Sequence, residues 1–120
     1  MKLVQIKKNE NPQPLVARAR WCSSWLCRLV GLQFHRPLAT DEALVMVWER
    51  ESVAKTSIHM FFVFFPITAI WVNAAGRVTS AQLARPWRPF YASPEPACYV
   101  VEAHADLLAQ VQVGDRLEFV

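Results

Sequence analysis

The chain has 120 residues, of which 53% are apolar and 19% charged, and carries a net charge of +3. That length corresponds to one domain, residues 1–120, able to bury roughly two thirds of its unfolded surface, and the composition excludes a disordered chain. The basic residues are scattered rather than clustered, so the footprint of a nucleic-acid binder is weak and no nucleic-acid partner is expected.

Cys22, Cys27 and Cys98 form an odd set with no regular framework. They are expected to be reduced thiols in a cytosolic setting, with the Cys22/Cys27 spacing suiting neither a metal knuckle nor a redox pair. The N-terminus alternates and then turns polar, so no export signal is expected and the localisation reads as cytoplasmic.

In chain order, "KLVQIKK" predicts a first strand, "NENPQP" a turn, and "LVARARW" a half-buried strand with Leu15, Ala17 and Ala19 on one face. "CSSWLCRLVGL" predicts a short helix capped by Ser23 or Ser24 and ended by Gly31, with Trp25, Leu26, Leu29 and Val30 on its inner side. "HRPLATDEA" is a loop, "LVMVW" a strand and "ERESVAKT" a polar connector.

The stretch "SIHMFFVFFPITAIWV" holds five aromatic residues among sixteen. Its uncharged part, Met60 to Val72, is too short for a membrane-spanning helix, which needs about 20 residues. Because proline cannot donate to a sheet ladder, Pro66 divides the run into two expected strands, Ile58–Phe65 and Ile67–Val72. "NAAGR" is a hairpin turn and "RVTSAQL" the returning strand. "ARPWRPFYASPEPA" is a proline-rich ordered loop, "CYVVEA" a strand, "HADLLAQV" one or two helical turns, and "GDRLEFV" a turn with the closing strand. The expected fold is mainly β, a single-domain antiparallel β-sandwich or barrel with one or two short helices.

The order "GLQFHRPL", "LVMVW", "SIHMFFVFFPITAIWVN", "GRV", "LARPWR", "ACYVVEA" and "VGDRLEF" resembles the bacterial and archaeal domain of unknown function family 192, over roughly residues 20–120. The resemblance implies a small fold of the jelly-roll kind and no established activity. It also implies an association with envelope or secretion machinery. The subgroup it is most similar to carries Arg where Phe64 stands and Asp where Thr68 stands. It also carries Arg where His35 stands, and Cys where Lys55 or Thr56 stands. Positions 64 and 68 share a parity, so one sheet face would have lost both members of a charged pair. Losing both is physically coherent, since removing one partner of a buried pair costs about 3–5 kcal/mol.

No catalytic constellation stands out. His59 is expected to be a hydrogen-bonded core residue, and Glu102 to form a salt bridge with an arginine such as Arg88. His35 and His104 are expected to face solvent. No metal site or cofactor is expected, because no ligand pattern or glycine-rich loop is present. The aromatic run is apolar on both strand parities. Either the proline-rich loop or the Cys22–Gly31 helix covers it, or it presents a hydrophobic groove or homodimer face. The favoured reading is therefore a non-catalytic binding or accessory module that takes a protein partner or a small apolar ligand. Its recognition residues would be His59, Phe62, Phe64, Thr68, Trp87 and Arg88. The rival is a small hydrolase or isomerase-like enzyme using His59 with a nearby carboxylate, Glu102 or one in a loop.

Overall fold

In a computed structural model, which describes residues 2–120, seven strands form one sheet. The strands are β1 (Leu3–Lys8), β2 (Pro14–Cys22), β3 (Glu42–Ser52), β4 (Ile67–Val72), β5 (Val78–Ala84), β6 (Ala97–His104) and β7 (Leu117–Phe119). One α-helix, α1 (Trp25–Val30), and a 3-10 helix (Ala105–Gln110) interrupt them. The spatial order is β5-β4-β6-β3-β2-β1-β7. Every neighbouring pair is antiparallel except β2 and β3, which run parallel.

The sheet curls until its two edges meet. Arg77 and Arg116 form an antiparallel bridge, and backbone bonds run from Leu117 N–H to Gly76 O (2.8 Å) and from Val78 N–H to Asp115 O (2.8 Å). This contact covers backbone groups that an open edge would leave as a template for another chain.

Strand alternation sends apolar residues to both sides of the curl. Inside it, all seven strands contribute to one core that includes Ile6, Val16, Val45, Ile70, Val101 and Leu117, and the 3-10 helix closes it with Leu107. A second core lies on the outer face of β3, β4 and β6, where Leu44, Met46, Ile67, Trp71 and Val100 are covered by loop residues such as Leu32, Met60 and Phe65. In this core the buried Trp71 indole donates to Thr56 O at 2.8 Å. No helix among the described residues is long and apolar enough to cross a membrane.

Several sequence-based expectations are corrected. Residues 58–65 form no strand; only Ile58 bridges, to Tyr91. Phe62 is in the left-handed region (φ 61°), so the chain turns there: Met60, Val63 and Phe65 point inward while Phe61, Phe62 and Phe64 stay exposed. Apolarity on both parities thus reflects a turn, not a strand with two covered faces. A register shift between β1 and β2 breaks the expected alternation in "LVARARW", so Val16 and Ala19 are both buried.

Helix α1 has the expected caps, with the Ser24 hydroxyl accepting from Cys27 N–H and Gly31 (φ 54°) ending the helix. Its expected inner side, however, faces outward, and Trp25, Leu26, Leu29 and Val30 are exposed. The cause is covalent. Cys22 and Cys27 are disulfide-bonded (Cα–Cα 5.7 Å), correcting the expectation of free thiols, and the bond turns the Cys27 side of the helix to the sheet. Cys98 is a free, buried thiol.

Candidate functional site

Three loops converge on the outer face of the sheet, and backbone hydrogen bonds fix their relative positions. Phe34 N–H donates to Phe62 O (2.8 Å), Met60 N–H to Arg88 O (2.7 Å) and Trp87 N–H to Met60 O (2.8 Å). Joined in this way, the loops present a ladder of rings. Phe34 stacks on Phe62 with centroids 5.0 Å apart, while Phe62 and Phe64 meet Trp87 edge-on at 5.0 and 5.6 Å.

All four rings are substantially exposed, from 42% at Phe62 to 72% at Phe34. Three of them sit on backbone that bulky residues avoid: φ is 57° at Phe34, 61° at Phe62 and 67° at Trp87. Such conformations cost about 1–3 kcal/mol each and cluster at functional sites. An apolar collapse would have turned these rings inward; here strained backbone holds them outward.

Next to the platform, α1, the Gly31–Gln33 turn and the Lys55–Val63 loop line an open cavity of about 350 Å³. Trp25, Val30, Trp48, His59 and Val63 are among its walls, and Glu102 is among its lining residues. Strand β6 places Glu102 there because it pairs with Leu44 and Ala69, both in the outer core. The Glu102 residue is only 5% exposed. Burial alone pushes its carboxyl up to about 7, with no cation close enough to oppose the shift.

The expected Glu102 salt bridge is therefore a correction. Among the described residues, the ion pairs are Arg18–Asp41, Arg36–Glu42 and His104–Asp106, and no hydrogen bond reaches the Glu102 side chain. Arg28, which also lines the cavity, is committed elsewhere: it donates to Val47 O (3.0 Å) and lies over the Trp48 ring. Gly31 passes beside the carboxyl, where a Cβ would lie in ordinary contact, 3.7 Å from Glu102 Oε1.

The sequence-selected residues divide into groups. Phe62, Phe64 and Trp87 come together in the platform, and Arg88 stands exposed beside Trp87. His59 is exposed at the cavity and is not a core residue; its Nδ1 accepts from Phe61 N–H at 3.2 Å, and its ring lies 5.1 Å from that of Phe61. Thr68 lies apart, fully buried, donating to the carbonyls of His104 (2.9 Å) and Ala105 (3.0 Å). Phe64 packs on the outer platform while the neighbours of Thr68 on its own face, Ile70 and Val72, belong to the inner core. The shared-face pairing of positions 64 and 68 therefore fails, because residues 64–66 lie outside the strand, which starts only at Ile67, and strand parity does not run through them. His35 and His104 are half-buried rather than solvent-facing, His35 beside Arg20 at 3.2 Å.

Sequence reasoning missed Phe34, Trp25 and Trp48. The first two were legible only as isolated large aromatics flanked by a glycine or serine turn, and Trp48 read as an ordinary strand residue.

Comparison with known proteins agrees with this architecture. The chain is 32% identical over 102 residues to a UPF0127 protein of Pyrococcus furiosus, covering 83% of this chain and 84% of that one. It is 31% identical over 104 residues to a UPF0127 protein of Thermococcus kodakarensis, covering 85% of this chain but 64% of that longer relative. Two solved structures share the fold. A protein of unknown function from Novosphingobium aromaticivorans superposes with a TM-score of 0.86 at 20% identity, over 97% of this chain and 84% of the other. A Sinorhizobium meliloti protein, described as a candidate transcription regulator, superposes with a TM-score of 0.87 at 20% identity, over 98% and 94%. With residues 4–119 matching its sequence profile, the chain belongs to the uncharacterised family DUF192, described as Uncharacterized ACR.

Proposed function

We propose that this protein is a binding module that captures an apolar segment of a protein partner on the Phe34–Phe62–Phe64–Trp87 platform. The observation that carries this reading is the coincidence of exposure and backbone strain in stacked rings. Aromatic residues and arginine dominate binding hot spots because they offer large, rigid contact area with polar reach. Arg85 and Arg88 flank Trp87, are exposed, and have no carboxylate partner among the described residues. A partner with apolar anchors next to acidic residues complements this surface in both shape and charge.

The enzyme reading has one supporting observation, the presence of His59 and Glu102 around one cavity. It lacks a relay. No hydrogen bond joins His59 to Glu102, and the Ser57 hydroxyl donates to Ala54 O at 2.7 Å instead of to a base. Twenty per cent identity to the candidate regulator supports the fold and nothing about nucleic acid.

Selection from a phage-displayed random peptide library against the whole chain tests the binding reading. Enriched peptides are expected to combine two or more large apolar residues with Asp or Glu. Their affinity should fall at least tenfold for the Phe62→Ser/Trp87→Ser double variant, in keeping with anchors worth about 2 kcal/mol or more. Peptides that bind the variant as well as the parent chain would overturn the assignment, as would a selection that enriches nothing. Dimerisation through this face, lost in the same variant, would replace the partner with a second copy.

A further inference from the structure

We propose that the cavity between α1 and the outer face of β3 and β6 is a binding site for a small organic cation, a primary amine on an apolar or aromatic body, with its ammonium bound to Glu102. This goes beyond the platform reading and does not depend on it, because none of Phe34, Phe62, Phe64 and Trp87 lines the cavity.

The first argument is the carboxyl itself. Glu102 is almost wholly buried, lines the cavity, and has neither a cation nor a hydrogen-bond donor among the described residues. Among the described residues, no fully buried side-chain oxygen lacks a partner, so the unbonded Glu102 oxygens open onto the cavity; there a ligand ammonium can pair with a carboxylate that its surroundings solvate poorly. The second argument is the wall. Trp25, Leu29, Val30, Met46 and Trp48 line the same cavity as the carboxyl with apolar and aromatic surface, which suits a hydrocarbon body and offers ring faces to a cation.

Size and access are consistent with this. A volume of about 350 Å³ lies at the lower end of small-ligand pockets, which run from roughly 300 to 1,000 Å³. Trp25 stands 69% exposed at the rim, so the cavity is reached from solvent past α1. The resident cations do not occupy the position: Arg28 is held by Ser23 O, Val47 O and the Trp48 ring, and Lys55 is exposed. Gly31, at φ 54°, takes the left-handed conformation that brings the end of α1 past the carboxyl.

The test is an amide-resolved NMR titration of the disulfide-intact chain with benzylamine, phenethylamine and cyclohexylamine. Phenylethanol and phenylacetate serve as neutral and anionic matches. At least one amine should give saturable shifts centred on Gly31, Leu32 and His59. The matched alcohol should bind at least tenfold more weakly, and phenylacetate should leave these residues unmoved. Glu102→Gln should lose at least tenfold in amine affinity, while the Phe62→Ser/Trp87→Ser variant should bind the amine like the parent chain. Should Glu102→Gln fail to fold, Glu102→Asp, which retains the charge, is expected to preserve the preference for amine over alcohol. Equal affinity for amine and alcohol, wild-type binding in Glu102→Gln, loss of amine binding in the platform variant, or no saturable shift with any amine would each overturn the proposal.

Discussion

Glu102 ends an apolar run in the sequence, and its position on β6 follows from simple alternation, since Cys98, Val100 and Glu102 share one face. What the sequence did not disclose was the missing partner. A carboxylate among many arginines reads as half of a salt bridge, and only the path of α1 and Gly31 over the sheet shows that no arginine arrives. The consequence is measurable. The folded-state carboxyl titrates near 7 against 4.5 for the ordinary group, so the folded chain binds more protons than the unfolded chain between those values. Stability from this group is fully present below 4.5 and is lost as pH rises through 7, amounting to about 3 kcal/mol. Glu42 and Asp41 behave oppositely. Arg36 and Arg18 hold them below their ordinary values, so their contribution is lost as pH falls below the usual carboxylate range. The two effects occupy separate pH windows. Urea denaturation at pH 5 and pH 8 should therefore show Glu102→Gln gaining on the parent chain by up to about 3 kcal/mol between the two. A difference that does not change with pH would show that Glu102 is solvated or paired.

At the level of elements, α1 separates what periodicity can reveal from what it cannot. Its caps were readable, because Ser24 and Gly31 satisfy local backbone groups and need nothing from the rest of the chain. Its orientation was not. An apolar stripe at helical spacing normally faces the core, yet here the Cys22–Cys27 bond fixes which side meets the sheet. With six residues and none buried, the helix is too short to persist on its own propensity. Cys27→Ser is expected to cost about 2 kcal/mol of stability, the loop-closure effect of so short a span. Amide exchange at Arg28 and Gly31, whose N–H groups bond to Ser24 O and Cys27 O, should accelerate while β4 and β6 stay protected. Undiminished protection in the variant would show that packing, not the disulfide, holds α1. The 57–66 loop hid for a related reason: when nearly every position is apolar, a period of two and a turn through Phe62 leave the same trace in the sequence.

For the whole molecule, the mainly β character followed from short alternating runs and from the Asn73–Gly76 turn, which depend on near neighbours. The strand order did not follow, because the parallel β2–β3 pair and the meeting of the β5 and β7 ends join residues far apart in sequence. Gly76 is the hinge of that closure, at φ 84° with a would-be Cβ only 3.0 Å from Leu117 O. Gly76→Ala should lower the urea midpoint by the equivalent of about 1–3 kcal/mol with an unchanged slope; an unaffected midpoint would mean that the seam adds nothing to stability. The closed curl is also what gives the outer loops a rigid base, so that strained rings stay presented to solvent rather than collapsing. If this presented surface is the recognition face, a library-selected peptide must map onto it by amide shifts on the labelled chain. Saturable shifts should be confined to Phe34, Phe61–Phe64 and Arg85–Phe90 and vanish in Phe62→Ser/Trp87→Ser; shifts centred elsewhere, or surviving in that variant, would show that partners bind another face.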